Sequence, residues 1–324
     1  MRVSAACVLA VAAFGAATEN TALAQAYPAR PIRIVVPYAP AGGSDITLRI
    51  VQANAAERLG QPLVVDNRPG GGTLIGTRAV ANATPDGYTL GVMDPAFLVN
   101  PTLMRDARYD PLKDFAAITL FTVTPLMLVV PPSFPARTVQ ALIDAAKAQP
   151  AKLNYGSPGD GSAGHIAMEQ FRNAFGLQIV HVPYKGAGPA VAAIVGNEVP
   201  MLFAGSGVTP FVQDGRLRAL AATSAKRVAT LPAVPTFAEL GFPQINVQTF
   251  AGLVAPAGTP AAAIHRLHAD FAAAVQAPEV KSRLEQFSQI PVANTPAEFA
   301  VFLRENGARL TRVVRDSNIK LDPR

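Results

Sequence analysis

The chain has 324 residues, half of them hydrophobic and only 15% charged, with a net charge of +6 and one cysteine. That length and apolar content give a core of two domains rather than one. Scattered Lys and Arg with no interleaved aromatics argue against a nucleic-acid surface, and Cys7 falls in the leader described next, leaving no thiol for disulfides, thiolate metal sites or cysteine nucleophiles.

The opening stretch, residues 1–26, reads as a secretory signal peptide. Arg2 is its positive end, Val3 to Ala17 its apolar run, and Ala22-Leu23-Ala24 and Ala24-Gln25-Ala26 its two cleavage sites. Its apolar run is short of the roughly 20 residues that span a bilayer. Ser4 stands three positions before Cys7 where a lipoprotein leader would carry a larger aliphatic residue. A periplasmic protein, cleaved after Ala24 or Ala26, is expected.

RPIRIVVPY is a β-branched strand, followed by the loop APAGGSD and a helix, ITLRIVQANAAERLG, ending on Gly60. PLVVDNRPGG is a second strand. TLIGTRAVANATPDG reads as a helix until Pro85-Asp86-Gly87, and YTLGVMD as a third strand. This alternation predicts a parallel α/β sheet. LFTVTPLMLVVPP is one long extended segment, and a new unit begins at TVQALIDAAKAQP with Thr138 as its cap. KLNYGS, LQIVHVPYKG, VPMLFAG and LRALAATS are further strands. INVQTFAGLVAPAGTP is a second long extended piece, after which the chain is helical to its end. Two extended crossovers flanking a middle unit predict a discontinuous domain I at 27–125 plus 250–324 and a domain II at 126–249. Ligands of such folds bind outside the carboxyl ends of the strands, often between domains.

The loop YGSPGDGSAGH places Gly159, Gly161 and Gly164 at the spacing of a dinucleotide fingerprint. Such a site needs an acid about 20 residues on for the ribose. Tyr184 and Lys185 end the next strand instead, and no Asp or Glu lies between Glu169 and Glu198. The loop still suits a carboxylate: glycines expose backbone N–H groups, the following helix presents its positive end, and Ser157 and Ser162 add hydroxyls. An ordinary helix start capped by Ser162 or Asp160 is the bland alternative.

PYAPAGGSD repeats the design with Asp45 placed to cap the helix or pair with Arg49, and RPGGGTLIG lacks the Lys of a P-loop. A hydrolase using Ser162 with His165 or His181 lacks the G-x-S-x-G elbow. His265 and His268 read as solvated surface histidines rather than a metal site.

YPARPIRIVVPYAPAGGSDITLR, VVDNRPGGGTLIGTRAVANATPDGYTL, NYGSPGDGSAGHIAMEQF, HVPYKGAGPA, GRLRALAATSAKR with LPAVPTFAELG, and GLVAPAGTP together resemble the Bug family of extracytoplasmic solute receptors. These receptors are the substrate-binding component of tripartite tricarboxylate transporters. The resemblance spans nearly all of the chain after the leader. It implies a two-domain periplasmic-binding-protein fold, type II-like with parallel-rich sheets, that closes on its ligand. It implies a ligand pocket from Tyr38, Ala39, Pro40, Ala41, Gly42, Gly43 and Asp45, completed by Ser157, Gly159, Gly161, Ser162 and His165 and by Tyr184, Lys185 and Gly186. A di-, tri- or aromatic carboxylate and integral membrane transporter subunits are the implied partners, with no cofactor, metal, nucleic acid or catalysis. An exported enzyme and a sensory receptor remain the alternatives.

Some family members carry an Asp where this chain has Ala204. Ala204, Gly205 and Ser206 cannot pair with a ligand ammonium, which predicts a carboxylate without an amino group.

Overall fold

The computed structural model describes residues 27–317 and 319; the segment read as a signal peptide lies outside the described residues. Ile32–Val36 (β1) is a β-branched strand with Ile34, Val35 and Val36 fully buried. It runs through the glycine loop into Gly43–Leu59 (α1), whose end is set by Gly60 at φ 68°, a left-handed cap that costs an L side chain but not glycine. Leu63–Asn67 (β2), Leu74–Ala81 (α2) and Thr89–Met93 (β3) follow. The second helix stops at Ala81 with Asn82 as its cap, short of the expected Pro85.

Pro95–Leu103 (α3) is a helix that the sequence reading did not include. Phe115–Pro125 (β4) and Met127–Val130 (β5) divide the expected single extended segment at Leu126. The middle unit comprises Val139–Ala148 (α4), Asn154–Ser157 (β6), Ala163–Phe175 (α5), Val180–Pro183 (β7), Ala187–Val195 (α6), Leu202–Ala204 (β8), Thr209–Gln213 (α7) and Arg218–Ala222 (β9). Thr138 caps α4, its side chain accepting the Ala141 N–H at 3.1 Å. Gln248–Pro256 (β10), Ala261–Gln276 (α8), Pro278–Gln286 (α9), Ile290–Pro291 (β11) and Pro296–Asp316 (α10) complete the described chain. A reciprocal capping box between Thr295 and Glu298 starts α10.

Two mixed sheets result. One has the order β11-β4-β10-β3-β1-β2 and the other β7-β6-β8-β5-β9. The β/α units pair in parallel, β1 with β2 and β3, and β6 with β7 and β8. The strands that cross between sheets run antiparallel: β10 against β3 and β4, and β5 against β8 and β9. These strands arrive as extended chain with no helix to return them to the same end, so the sheets are less parallel than the alternation alone predicts.

The first sheet is covered on both faces, as parallel strands require. Leu48 and Val51 of α1 and Leu267 and Phe271 of α8 share one buried cluster with Ile34, Val36 and Leu253. Each such side chain contributes about 1.5–3 kcal/mol of burial. On the opposite face, Phe299 of α10 lies against Gly252, where a Cβ would stand 2.1 Å from the ring. The chain passes from the first sheet to the second at Leu126, whose N–H donates to Thr223 Oγ1 at 2.9 Å and whose carbonyl accepts the Thr223 N–H at 2.9 Å, extending the β5–β9 pairing by one step. Among the described residues, no helix is long and apolar enough to cross a membrane.

Candidate functional site

The carboxyl ends of β1, β3, β6 and β8 open into one cleft of about 760 Å³, solvent at its mouth included. From the first sheet it is lined by Tyr38, Gly42, Gly43, Ser44, Thr47 and Asp94, with Thr122, Thr124 and Thr249 on the crossing strands. From the second sheet come Pro158, Ser162, Ala163, Gly164, Ala187, Ala204 and Gly205. Helices α1 and α6 begin at Gly42 and Gly186 without a side-chain cap, so their first-turn N–H groups are served by the solvent or ligand of the cleft.

Of the residues expected from sequence, Tyr38, Gly42, Gly43, Ser162, Ala204 and Gly205 line this cleft. The others shape the loops around it. Asp45 is buried and accepts the Ala41 N–H at 2.9 Å, Arg49 Nε at 2.8 Å and Asn67 Nδ2 at 3.0 Å. It therefore makes the expected pair with Arg49 but is not the helix cap, which is Gly42. Asp45 thereby anchors Ala41, at φ 63°, while Asn67 Nδ2 also donates to the Tyr38 carbonyl at 3.1 Å, so the Ala39-Pro40 turn is tied at both ends. Charge-assisted bonds of this kind hold the Asp45 carboxyl below its ordinary pKa against the opposing effect of burial. Asp45→Ala is expected to loosen this loop and weaken ligand binding about tenfold, read by titration calorimetry.

In the second loop Ser162 caps α5, accepting the His165 N–H at 3.3 Å. Gly159 and Gly161 make the turn with φ 126° and 72°. His165 lies beneath it rather than on the cleft wall: its Nδ1 accepts the Gly161 N–H at 3.2 Å, which places the ring proton on Nε2. Burial, with a lesser effect from Arg172, depresses its pKa to about 4. The His165 ring stacks on His181 at 4.1 Å, and His181 stacks on Tyr155 at 4.9 Å. Ser157, fully buried, sits 2.6 Å from His181 Nε2 and accepts the Gly159 N–H at 3.1 Å.

The Ser–His contact is thus Ser157–His181, not a pair involving Ser162. Donor atoms of Asp160, His165 and His181 lie within 4.8 Å of one another. A metal binds imidazole in the ring plane, whereas these two rings are parallel within 4°. The cluster is built to stiffen the loop rather than to close round an ion.

The third segment sits at the rim. The Tyr184 N–H bonds the Ser157 carbonyl at 2.9 Å, and Gly186 at φ 119° approaches Tyr38 of the opposite sheet. Lys185 is exposed and outside the cleft lining. Ser206 opens a short 3-10 turn, Ser206–Val208, after β8.

Asp94 is the site residue that matters most among those not foreseen. It follows β3 and caps α3, accepting the Ala96 N–H at 3.0 Å, while the Tyr38 hydroxyl donates to its Oδ2 at 2.6 Å. Burial outweighs these bonds and pushes its pKa to about 6; the same burial and the Asp94 charge keep Tyr38 protonated. Thr47 Oγ1 lies 3.0 Å from Gln289 Oε1, another lining residue. Among the described lining residues there is no Lys or Arg. Because Asp94 shares the cleft with Ala204, the absence of an acid at position 204 no longer argues against an ammonium.

A family model described as tripartite tricarboxylate transporter family receptor matches residues 47–319. The UPF0065 protein in the gbd 5′ region of Cupriavidus necator is 37% identical, over 91% of this chain and 90% of its own length. BugT of Bordetella pertussis is 35% identical over 92% of each chain. A solved periplasmic transporter is 41% identical, with a TM-score of 0.89 over 92% of this chain and 100% of its own. An R. palustris protein with adipate is 31% identical, TM-score 0.87, covering 91% and 99%. MatC from Rhodopseudomonas palustris with bound malate is 29% identical, TM-score 0.85, covering 89% and 100%. With a family match over most of its length, two sheets facing one cleft and relatives of the same length and shape, this chain belongs to the tripartite tricarboxylate transporter receptor family, as the Bug-like blocks of its sequence indicated.

Proposed function

We propose that the protein is a periplasmic receptor that captures a small carboxylate by closing domain I, 27–125 plus 250–324, on domain II, 126–249, and presents it to a tripartite-type membrane transporter. The observation that carries this reading is the cleft itself: strand ends of both sheets, uncapped helix starts and hydroxyls facing one another, with no basic side chain among its described lining. Uncapped N–H groups and hydroxyls suit a carboxylate that must be released again. The adipate and malate held by two relatives support the ligand class.

A binding role is favoured over an enzyme. Ser157 is enclosed in its loop and outside the cleft lining, so its contact with His181 is shielded from a bound ligand. The natural hinge is the pair of extended crossovers, at Leu126 between β4 and β5 and in the chain that enters β10 at Gln248.

The test is a thermal-shift screen of the mature protein against carboxylates, with recovery of each hit. A ligand at 100 times its Kd is expected to stabilise the fold by about 2.7 kcal/mol and to be recovered unchanged. Turnover of a hit would replace this reading with an enzyme, and silence across the panel would remove the carboxylate assignment. N-terminal sequencing of the exported form is expected to begin at Gln25 or Tyr27.

A further inference from the structure

We infer that the ligand of this cleft carries a protonated amine as well as a carboxylate, and that Asp94 together with Thr122 receives the amine. The inference rests on the carboxylate-receptor reading and narrows its substrate class to amino-acid-like zwitterions. The expectation drawn from Ala204 pointed the other way, toward acids without an amine.

Asp94 is the one carboxylate among the described lining residues, and no Lys or Arg shares that lining. A dianionic ligand would set two negative charges beside a third, in a buried region where repulsion is poorly screened. A zwitterion removes this conflict: its carboxylate faces the helix starts at Gly42, Ser162 and Gly186, and its ammonium faces Asp94.

Asp94 accepts the Tyr38 hydroxyl at 2.6 Å on Oδ2 and the Ala96 N–H at 3.0 Å on Oδ1, with the Phe97 N–H a further donor to the carboxyl. A carboxylate has about four lone-pair sites, so acceptor capacity remains. Tyr38 holds the carboxyl in place and, being neutral, does not compensate its charge. Thr122 is 1% exposed and lines the same cleft, yet its Oγ1 has no hydrogen-bond partner. A buried hydroxyl in that state calls for one from a ligand or solvent.

Register brings the two together. Met93 pairs with Gly252 and Thr122 with Ala251, so Asp94 and Thr122 stand at nearly the same level on either side of β10. Two strand spacings separate their backbones by about 10 Å. Inward-reaching side chains at that separation leave room for one ammonium between them, which donates three bonds and so can serve both oxygens. The remaining ionisable groups near Asp94 leave the balance unchanged: Tyr109 is protonated, and Arg78 of α2 is paired with Asp106 at 3.0 Å.

The experiment is calorimetric titration of the mature protein with matched pairs, aspartate against succinate and glutamate against glutarate, each also with Asp94→Asn and Thr122→Val. Asn caps a helix as well as Asp, so Asp94→Asn keeps α3 and the fold, checked by circular dichroism. The amino member of a pair is expected to bind at least tenfold more tightly. Asp94→Asn should abolish that preference while leaving the deaminated member equal or tighter, and Thr122→Val should reduce it severalfold. Lowering the pH through 6 should weaken the amino member in the wild type only. If succinate or glutarate binds better and Asp94→Asn tightens it further, this inference falls while the receptor reading stands. If no member of either pair binds and the wider carboxylate screen is also silent, both fall together. If other carboxylates bind there but their amino derivatives do not, only this inference is overturned.

Discussion

Gly164→Val is expected to abolish ligand binding and to lower the unfolding midpoint by several degrees. Gly164 lies in the first turn of α5, where the helix start meets the end of β8. A Cβ there would stand 2.6 Å from the Phe203 carbonyl oxygen and 3.0 Å from Pro158 Cδ. The carbonyl belongs to a sheet strand and cannot rotate away as a side-chain end could, so helix and strand must separate. Overpacking of this kind costs about 1–3 kcal/mol, and valine carries two further methyls into the same gap. Binding suffers more than stability because Ala163, Gly164 and Ala204 all line the cleft, and both of its second-sheet walls move when α5 shifts. Gly307→Ala is the control. It lies inside α10 with Leu98 Cδ2 no nearer than 3.9 Å, so it should bind normally and gain up to about 1 kcal/mol of helix stability. Normal affinity in Gly164→Val would show that the α5 start does not contribute to the pocket.

Sequence reading found the units whose ends are punctuated. The β-branched run 32–36 and Gly60 mark a strand and a helix stop by local chemistry alone, and the glycines of 159–164 announce a tight loop before a helix. What it missed depends on partners distant in the chain. Helix α3 was hidden because Pro95 and Pro101 both fall within nine residues, although Asp94 before Pro95 is an N-cap followed by a proline at the first helical position. That signal was present, and recognising it would have drawn attention to Asp94. No local signal existed for the rest: Thr122 and Gln289 reach the cleft through the pairing of β4 with β10 and β11. Likewise, LFTVTPLMLVVPP is uniformly extended by pattern. The change of partners, β4 on β10 up to Pro125 and β5 on β8 and β9 from Met127, shows where it leaves one sheet for the other. The glycine loops were legible, but which of their residues face the cleft was not: Ser157 and His165 turn inward to form the loop's support, leaving Ser162 on the wall.

Two buried groups should pull the stability of the ligand-free protein in opposite directions between pH 4 and 7. Asp94 has its pKa raised from 3.8 to about 6 by burial, so over that interval the folded state holds a proton that the unfolded state releases. Its contribution is present below pH 3.8 and is lost as the pH rises through about 6. His165 has its pKa lowered from 6.5 to about 4, again chiefly by burial. Its contribution is present above pH 6.5 and is lost as the pH falls toward 4. Each separation of two pH units or slightly more corresponds to about 3 kcal/mol, so the two nearly cancel in the wild type. Urea unfolding at pH 4 and pH 7 should expose them separately. Asp94→Asn should gain about 3 kcal/mol relative to wild type on going from pH 4 to pH 7, and His165→Gln should lose a similar amount over the same step. Other carboxylates contribute alike to all three proteins and drop out of these differences. Parallel pH profiles would mean that neither group is held as its surroundings dictate. The cancellation flattens the pH profile but leaves the cost of the ionised Asp94 in place at neutral pH, where His165 is already neutral. An asparagine would cap α3 and accept from Tyr38 equally well. A carboxylate retained there, against a cost of about 3 kcal/mol at pH 7, has its use in the ligand-bound state, where an ammonium can meet it.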